Sequence, residues 1–338
     1  MAQSDHQSDD ASLTLPAALR RMGLLGQKET ARFTALTGGV SSDIHLVETS
    51  NRRFCVKRAL ARLKVAAVWE APTNRNAAEA AWIRQVGRWL PDGVPTLLGE
   101  DEQLGLFAMA FLSPELNPVW KAQLLDQQID TAFVGRVGAD LGLIHAASAQ
   151  EAGLAVRFAN DATFGPIRIE PYLIATARAH PDLSAKIKAV AARTLATRKA
   201  LIHGDVSPKN ILCGQTGPVF LDAECACFGD PAFDLAFCLN HLMLKGARQG
   251  VPRAAYRDAF EALVNAYFAR IDWEDRAAFE ARAAALLPVL FLARVDGKSP
   301  VEYLTLEEER KAVRRFARPL IADPVEDLIA IANAWTRQ

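Results

Sequence analysis

His203-Gly204-Asp205-Val206-Ser207-Pro208-Lys209-Asn210, followed eleven residues on by Leu221-Asp222-Ala223-Glu224, is the stretch that decides how this chain is read. Around it, the apolar runs at 201–202, 211–213 and 219–221 read as three very short strands inside a region of helical periodicity. Polar loops carried on rigid supports are where chemistry concentrates. The residue types suit a hard cation: Asn210 and Asp222 oxygens can hold Mg2+ while leaving positions for phosphate oxygens and water. Asp205 lies outside that pair and can accept a proton from an attacking hydroxyl.

Working outward, the first third reads as β-rich with one helix. Residues 32–36, 44–49 and 53–59 are expected as strands, the first two joined by the turn Thr37-Gly38-Gly39-Val40-Ser41-Ser42-Asp43. A helix is expected over 76–90, where Trp82, Val86, Trp89 and Leu90 recur on one face. Two more strands follow at 96–99 and 104–112, and Ser113-Pro114 with Asn117-Pro118 then punctuates the chain. Beyond residue 120 the spacing predicts helices over 126–147, 183–199, 232–245, 253–270 and 275–293. From 302 to the end it predicts at least two more, interrupted by Pro319 and Pro324.

Composition narrows the class. The 338 residues are 50% hydrophobic and 23% charged, with 39 basic and 39 acidic residues, as in an ordinary folded protein rather than a disordered or disulfide-stapled one. Zero formal net charge argues against a nucleic-acid binder working through a basic field. The longest apolar stretch, 283–295, is broken by Pro288 and Arg294 and is shorter than the roughly 20 residues a membrane helix needs. MAQSDHQSDD lacks the basic and apolar regions of a secretory signal, and 1–11 reads as a disordered tail. Cys55, Cys213, Cys225, Cys227 and Cys238, an odd set without a CxxC pair, read as buried reduced thiols of a cytoplasmic protein.

The pattern HGDxxxxN, with an Asp closing the next strand and Gly229-Asp230-Pro231-Ala232-Phe233-Asp234-Leu235-Ala236 after it, resembles the aminoglycoside phosphotransferase/choline kinase family. That family is a branch of the protein-kinase-like fold, and the Gly-Gly-Val-Ser-Ser turn is similar to methylthioribose-kinase-like members. The resemblance implies an α+β, two-lobed chain: a small antiparallel β N-lobe over 12–112, a hinge at 113–118, and a helical C-lobe over 119–338. It further implies that Asp205 is the catalytic base and that Asn210 and Asp222 hold Mg2+ on the phosphates of ATP or GTP. Lys57 would reach the α- and β-phosphates, with Cys55 over the adenine and Gly39, Ser41 and Ser42 covering the phosphates. His203 and Asp234 would support the loop. Ser207, Lys209 and Glu224 are candidate substrate contacts, although Lys209 and Glu224 read equally as solvated charges.

Glu79 adds a physical argument. It precedes Trp82, Val86 and Leu90 by 3, 7 and 11 residues, which sets a carboxylate on the apolar face of its helix. A buried charge is costly unless paired, and Lys57 is the expected partner, with Glu70 the alternative if the helix register differs.

A second cluster, Arg294, Asp296 and Lys298, precedes Ser299-Pro300-Val301-Glu302, which has the pattern of a capped helix start. The three residues would then sit at a helix N-terminus, a ready site for substrate. From Val251 onward there are 13 basic and 14 acidic residues, without the acidic surplus expected of a cationic-acceptor kinase. A neutral or anionic small-molecule acceptor, such as a sugar-like one, is therefore expected, the alternatives being a cationic acceptor or a nucleotide-binding pseudokinase without turnover.

Overall fold

A computed structural model describes residues 15–36, 42–59 and 75–337. The tail at 1–11, Gly39, Ser41 and Glu70 lie outside the described residues. The chain divides into two compact units, one reaching to Gln85 and including Pro95–Leu112, the other formed by Val86–Val94 and Ser113–Gln338.

The first unit is built on β1 (Arg32–Leu36), β2 (Ser42–Glu48), β3 (Arg53–Ala59), β4 (Leu97–Asp101) and β5 (Leu106–Ala110). These strands make an antiparallel sheet ordered β1-β2-β3-β5-β4. Phe54 stands opposite Val47 and Ala110, and Val56 opposite Ala108. Phe54 and Val56 pack with Val47, Leu106 and Ala108 against Leu15, Ala18 and Leu19. With a side-chain period of two, Cys55 and Lys57 fall on the opposite face. Helix α1 (Arg75–Trp89) is tied to β3 at its start, where Asn76 Nδ2 donates to the Lys57 and Gly105 carbonyls.

The second unit is mostly helical. Its long helices are α2 (Thr131–Gln150), α3 (Ser184–Ala196), α4 (Pro231–Gly246), α5 (Arg253–Phe268), α6 (Arg276–Asp296), α7 (Glu307–Ala322) and α8 (Leu328–Thr336). Asp130 caps α2 by accepting from Ala132 and Phe133 N–H, and Asp230, with Pro231 next, caps α4 in the same way. All sixteen residues of α4 are buried, and α4 packs against α5 and α6. Helices α2 and α5 approach closely at Gly138, where a Cβ would lie 2.3 Å from the Leu263 carbonyl oxygen.

Several expectations are corrected. The helix expected over 126–147 begins at Thr131, after a separate turn of helix, Trp120–Leu125. The break between them carries Gln127 at φ 61°. Pro319 does not interrupt the C-terminal helices: it sits inside α7, where its ring costs one backbone bond, and the break follows Ala322. No helix starts at Ser299. The capping role given to Glu302 belongs to Glu309, whose Oε2 accepts from Leu306 N–H, and α7 begins at Glu307. Of the elements that were not anticipated, two bear on the candidate site. A strand β9 (Cys227–Gly229) pairs with β6 (Ala200–Ile202), while β7 (Ile211–Cys213) and β8 (Pro218–Phe220) form the central hairpin. Gly165–Ile174 is a wide helical stretch of the i→i+5 kind. Pro171 inside it has no N–H to give to a regular α-helix, and such wide turns often mark functional sites.

Candidate active site

In the first unit, Lys57 Nζ donates to Glu79 Oε2 at 2.6 Å, and both side chains are about 2% exposed. Burial removes water from both charges, so each depends on the other; removing one partner of such a pair costs about 3–5 kcal/mol. Cys55, on the same face of β3, is buried, and burial pushes its thiol up to about 11. Ser42 opens β2 and is buried.

In the second unit, β6 ends at Ile202 and the chain turns sharply at Gly204, φ 76°. A Cβ there would lie 2.8 Å from both Cβ and the carbonyl oxygen of Cys225, so only glycine fits. Asp234, on α4 and fully buried, holds this turn: Oδ2 accepts from His203 N–H at 2.7 Å and Oδ1 from Gly204 N–H at 2.8 Å. His145 Nε2 lies 3.3 Å from the same carboxylate, and its Nδ1 lies 2.7 Å from the Tyr267 hydroxyl. These hydrogen bonds make His145 part of the loop's support.

The His203 ring braces the loop from within. Its Nδ1 accepts from Asp205 N–H at 3.1 Å, so Nε2 carries the proton and donates to the Leu221 carbonyl at 2.9 Å. Burial is the main reason its pKa is lowered, against the opposing pull of Asp234, Asp205 and Asp222. The ring is therefore neutral and spans the two chemistry-bearing loops.

Asp205 is 3% exposed and paired with two cations. Arg168 Nη2 lies 2.8 Å from its Oδ2, and Lys209 Nζ lies 3.3 Å from the same oxygen. Arg168 was missed in the sequence. It sits in the wide stretch 165–174 and also donates to the Gly204 carbonyl at 2.6 Å. Burial is the largest single influence and opposes its charge, but Asp205 together with Cys225, Tyr172 and Asp222 outweighs it, so the pKa is raised. The signal was present: an arginine between Ile167 and Ile169, in a run broken by Pro166 and Pro171. Lys209 is half exposed, and Asp205 is the first reason its pKa is raised.

Asn210 Nδ2 donates to the Asp205 carbonyl at 3.1 Å, which leaves Oδ1 as the amide's acceptor. Leu221 N–H donates to the Asn210 carbonyl at 2.9 Å, so Asp222 follows directly beside Asn210. Asp222 has φ 67°, a left-handed conformation that Asp tolerates better than most residues but that still stores strain. Glu224 is buried two residues on. Ser207 Oγ is buried and without a hydrogen-bond partner among the described residues.

The 294–298 cluster is not at a helix N-terminus. It occupies the C-terminal end of α6, where the last carbonyls rather than N–H groups are exposed. Asp296 is engaged by Arg314, at 2.8 Å, and by His180 Nε2, at 2.9 Å, which lower its pKa against burial. Lys298 is largely exposed, 3.7 Å from Glu170. Arg294 Nη1 donates to the Tyr172 hydroxyl at 3.2 Å and to Ser299 Oγ at 2.9 Å. Asp296 and Lys298 are thus brought into surface and inter-helix ion pairs, while Arg294 Nε is buried without a hydrogen-bond partner among the described residues.

Comparison with known proteins places this geometry in context. A model of the phosphotransferase enzyme family matches residues 32–279. The methylthioribose kinase of Erwinia tasmaniensis is 25% identical over 218 residues, covering 57% of this chain and 54% of that protein. The chain thus spans about half the length of the curated relative it matches. Amicoumacin kinase hAmiN, solved with AMP-PNP, Ca2+ and Ami, shares the fold at a TM-score of 0.59 and 13% identity, over 95% of this chain and 97% of that one. Choline kinase from Cryptosporidium parvum does so at 0.56 and 13%, over 97% and 100%. The fold is protein-kinase-like, a five-stranded antiparallel sheet followed by a mostly helical remainder.

Proposed function

The chain belongs to the phosphotransferase enzyme family, and from that membership we propose that it is a small-molecule kinase. It moves the γ-phosphoryl group of ATP or GTP, with Mg2+, onto a hydroxyl of a sugar-like acceptor. The observation that carries this reading is Asp205: a buried carboxylate at the tip of a loop pinned through Asp234 and His203, beside an Asn–Asp pair of oxygen donors.

The donor set suits a hard divalent cation. With Nδ2 spent on the Asp205 carbonyl, Asn210 offers oxygen, as does Asp222. Asn210 and Asp222 would hold Mg2+, which when bound neutralises phosphate charge. Asp205 accepts the proton of the acceptor hydroxyl, and Arg168 fixes the direction of its carboxylate. Lys209, half exposed, can leave Asp205 for an incoming phosphate oxygen. Lys57, held extended by Glu79, meets the α- and β-phosphates. Catalysis of this kind is mostly positioning and charge neutralisation.

Two variants test the separate roles. Asp222→Ala should abolish Mg2+-dependent nucleotide binding, followed by calorimetric titration with ATP and GTP. Asp205→Asn should bind nucleotide like the parent and lose turnover by about 10²–10⁴-fold, the usual worth of a positioned base. Equal loss of nucleotide binding in both variants refutes the assignment.

A further inference from the structure

Helix α4 is buried throughout, and besides Asp234 and Asn240 it carries His241 and Lys245 one turn apart, 6% and 1% exposed. Among the described residues, the Lys245 ammonium reaches the His241 carbonyl, at 3.3 Å, and the face of Tyr303, at 5.0 Å. No carboxylate pairs with it among the described residues. The acid nearest in character, Glu302, is taken by Lys121 at 2.5 Å. On His241, on Tyr303 whose ring the ammonium faces, and on Arg294, whose charge acts on Lys245, three further polar atoms are buried without a hydrogen-bond partner among the described residues: His241 Nδ1, the Tyr303 hydroxyl and Arg294 Nε. Buried polar groups are nearly always satisfied; beside a lysine that donates to one backbone carbonyl, the Arg294 Nε donor and two groups able to donate, the Tyr303 hydroxyl and His241 Nδ1, mark a place where an acceptor is to be supplied.

The group is joined to the Asp205 loop by direct contacts within the second unit. Arg168, on Asp205, and Tyr172, on Arg294, lie four residues apart in the wide stretch 165–174. Tyr172 meets Phe237 edge-on at 5.4 Å, and Phe237 meets His241 at 5.3 Å. Val301 N–H donates to the Arg294 carbonyl, which brings Tyr303 back beside α6. The Trp120–Leu125 turn carrying Lys121 packs on the 208–210 turn and on α4.

We infer that the phosphoryl acceptor carries an anionic group, a carboxylate or a phosphate, received by Lys245, His241, Arg294 and the Tyr303 hydroxyl. This rests on the kinase reading and specifies its substrate class. A cationic acceptor such as an amine would meet four cationic or donor groups here, and the acid beside them, Glu302, is held by Lys121. Supporting this, burial lowers the Lys245 pKa to about 7, helped by Lys121 and Arg294 and opposed by Cys238 and Glu302. An arriving anion, which favours the charged form, should oppose that lowering and draw a proton from the buffer.

The test is calorimetric titration of the full chain at pH 8 and constant ionic strength with sodium gluconate, sodium phosphate, sorbitol and choline chloride. Gluconate or phosphate is expected to bind, with proton uptake visible as a buffer-dependent heat. Binding by gluconate alone specifies a carboxylate, and by phosphate alone a phosphorylated acceptor. Lys245→Met should weaken that binding at least tenfold, and Tyr303→Phe, which keeps the ring, severalfold. The inference is overturned if neither anion binds, if Lys245→Met and Tyr303→Phe bind it as the parent does (an adventitious ion only), or if choline binds in preference. Nucleotide titrated into the same protein separates the two readings. Asp222-dependent nucleotide binding without Lys245-dependent anion binding overturns only this inference, whereas absence of nucleotide binding overturns the kinase reading itself.

Discussion

Asp234 offers a perturbation whose size follows from the structure and whose readout needs no substrate. Its carboxylate is fully buried and accepts from two backbone N–H groups, His203 at 2.7 Å and Gly204 at 2.8 Å. Hydrogen bonds to a charged group contribute about 1.5–3 kcal/mol each, and a buried donor left unmade costs about 1–3 kcal/mol. Asp234→Ala strands both donors, so a loss of about 3–6 kcal/mol is expected from two such bonds. Asp234→Asn keeps one acceptor oxygen but turns an NH2 toward the other donor, and about 2–4 kcal/mol should be lost. Denaturant unfolding followed by circular dichroism at 222 nm, which reports mainly the helical unit, gives both values. Hydrogen exchange should show the His203 and Gly204 amides losing protection more than those of β7 and β8. A loss under 1 kcal/mol in Asp234→Ala, or unchanged protection of those two amides, would refute the claim that this carboxylate holds the loop.

Two further outcomes follow from the buried titratable groups. The His203 pKa is lowered in the folded chain, chiefly by burial, so the unfolded state binds the proton more readily and stability should fall as pH drops below about 6.5. His203→Asn should flatten that part of the stability–pH curve, measured as the difference between parent and variant from pH 7.5 to 5; parallel curves would contradict it. Burial raises the thiol of Cys55 to about 11 and those of Cys225 and Cys238 to about 12. At pH 8 these are thiols rather than thiolates. Iodoacetamide should therefore leave all three unmodified in the native protein and label them in denaturant, with mass spectrometry of peptides as the readout.

Much of the site was legible in the chain because its parts are close in sequence. Asp205, Asn210 and Asp222 sit on one β-hairpin, and the backbone bond from Leu221 to Asn210 joins its two ends without help from distant segments. The Lys57–Glu79 pair was reachable because a carboxylate on an apolar helix face demands a partner and one strand offers a lysine. The cap at Asp230 and Pro231 is likewise local.

What escaped was decided by contacts across long separations. Arg168 reaches Asp205 because two prolines widen the turn that carries it, and nothing within five residues of Arg168 names that partner. The 294–298 segment was misplaced because Ser-Pro-x-Glu satisfies a capping pattern locally. Asp296 is instead drawn to Arg314 and His180, residues 18 and 116 positions away. Lys245 and His241 were not singled out in the sequence; both are buried on a helix that packs against α5 and α6. Local pattern determines where turns, caps and paired oxygens form, since those energies act between neighbours in sequence. Which charges end up buried, and facing what, depends on which helices exclude water together, and that is settled only in three dimensions.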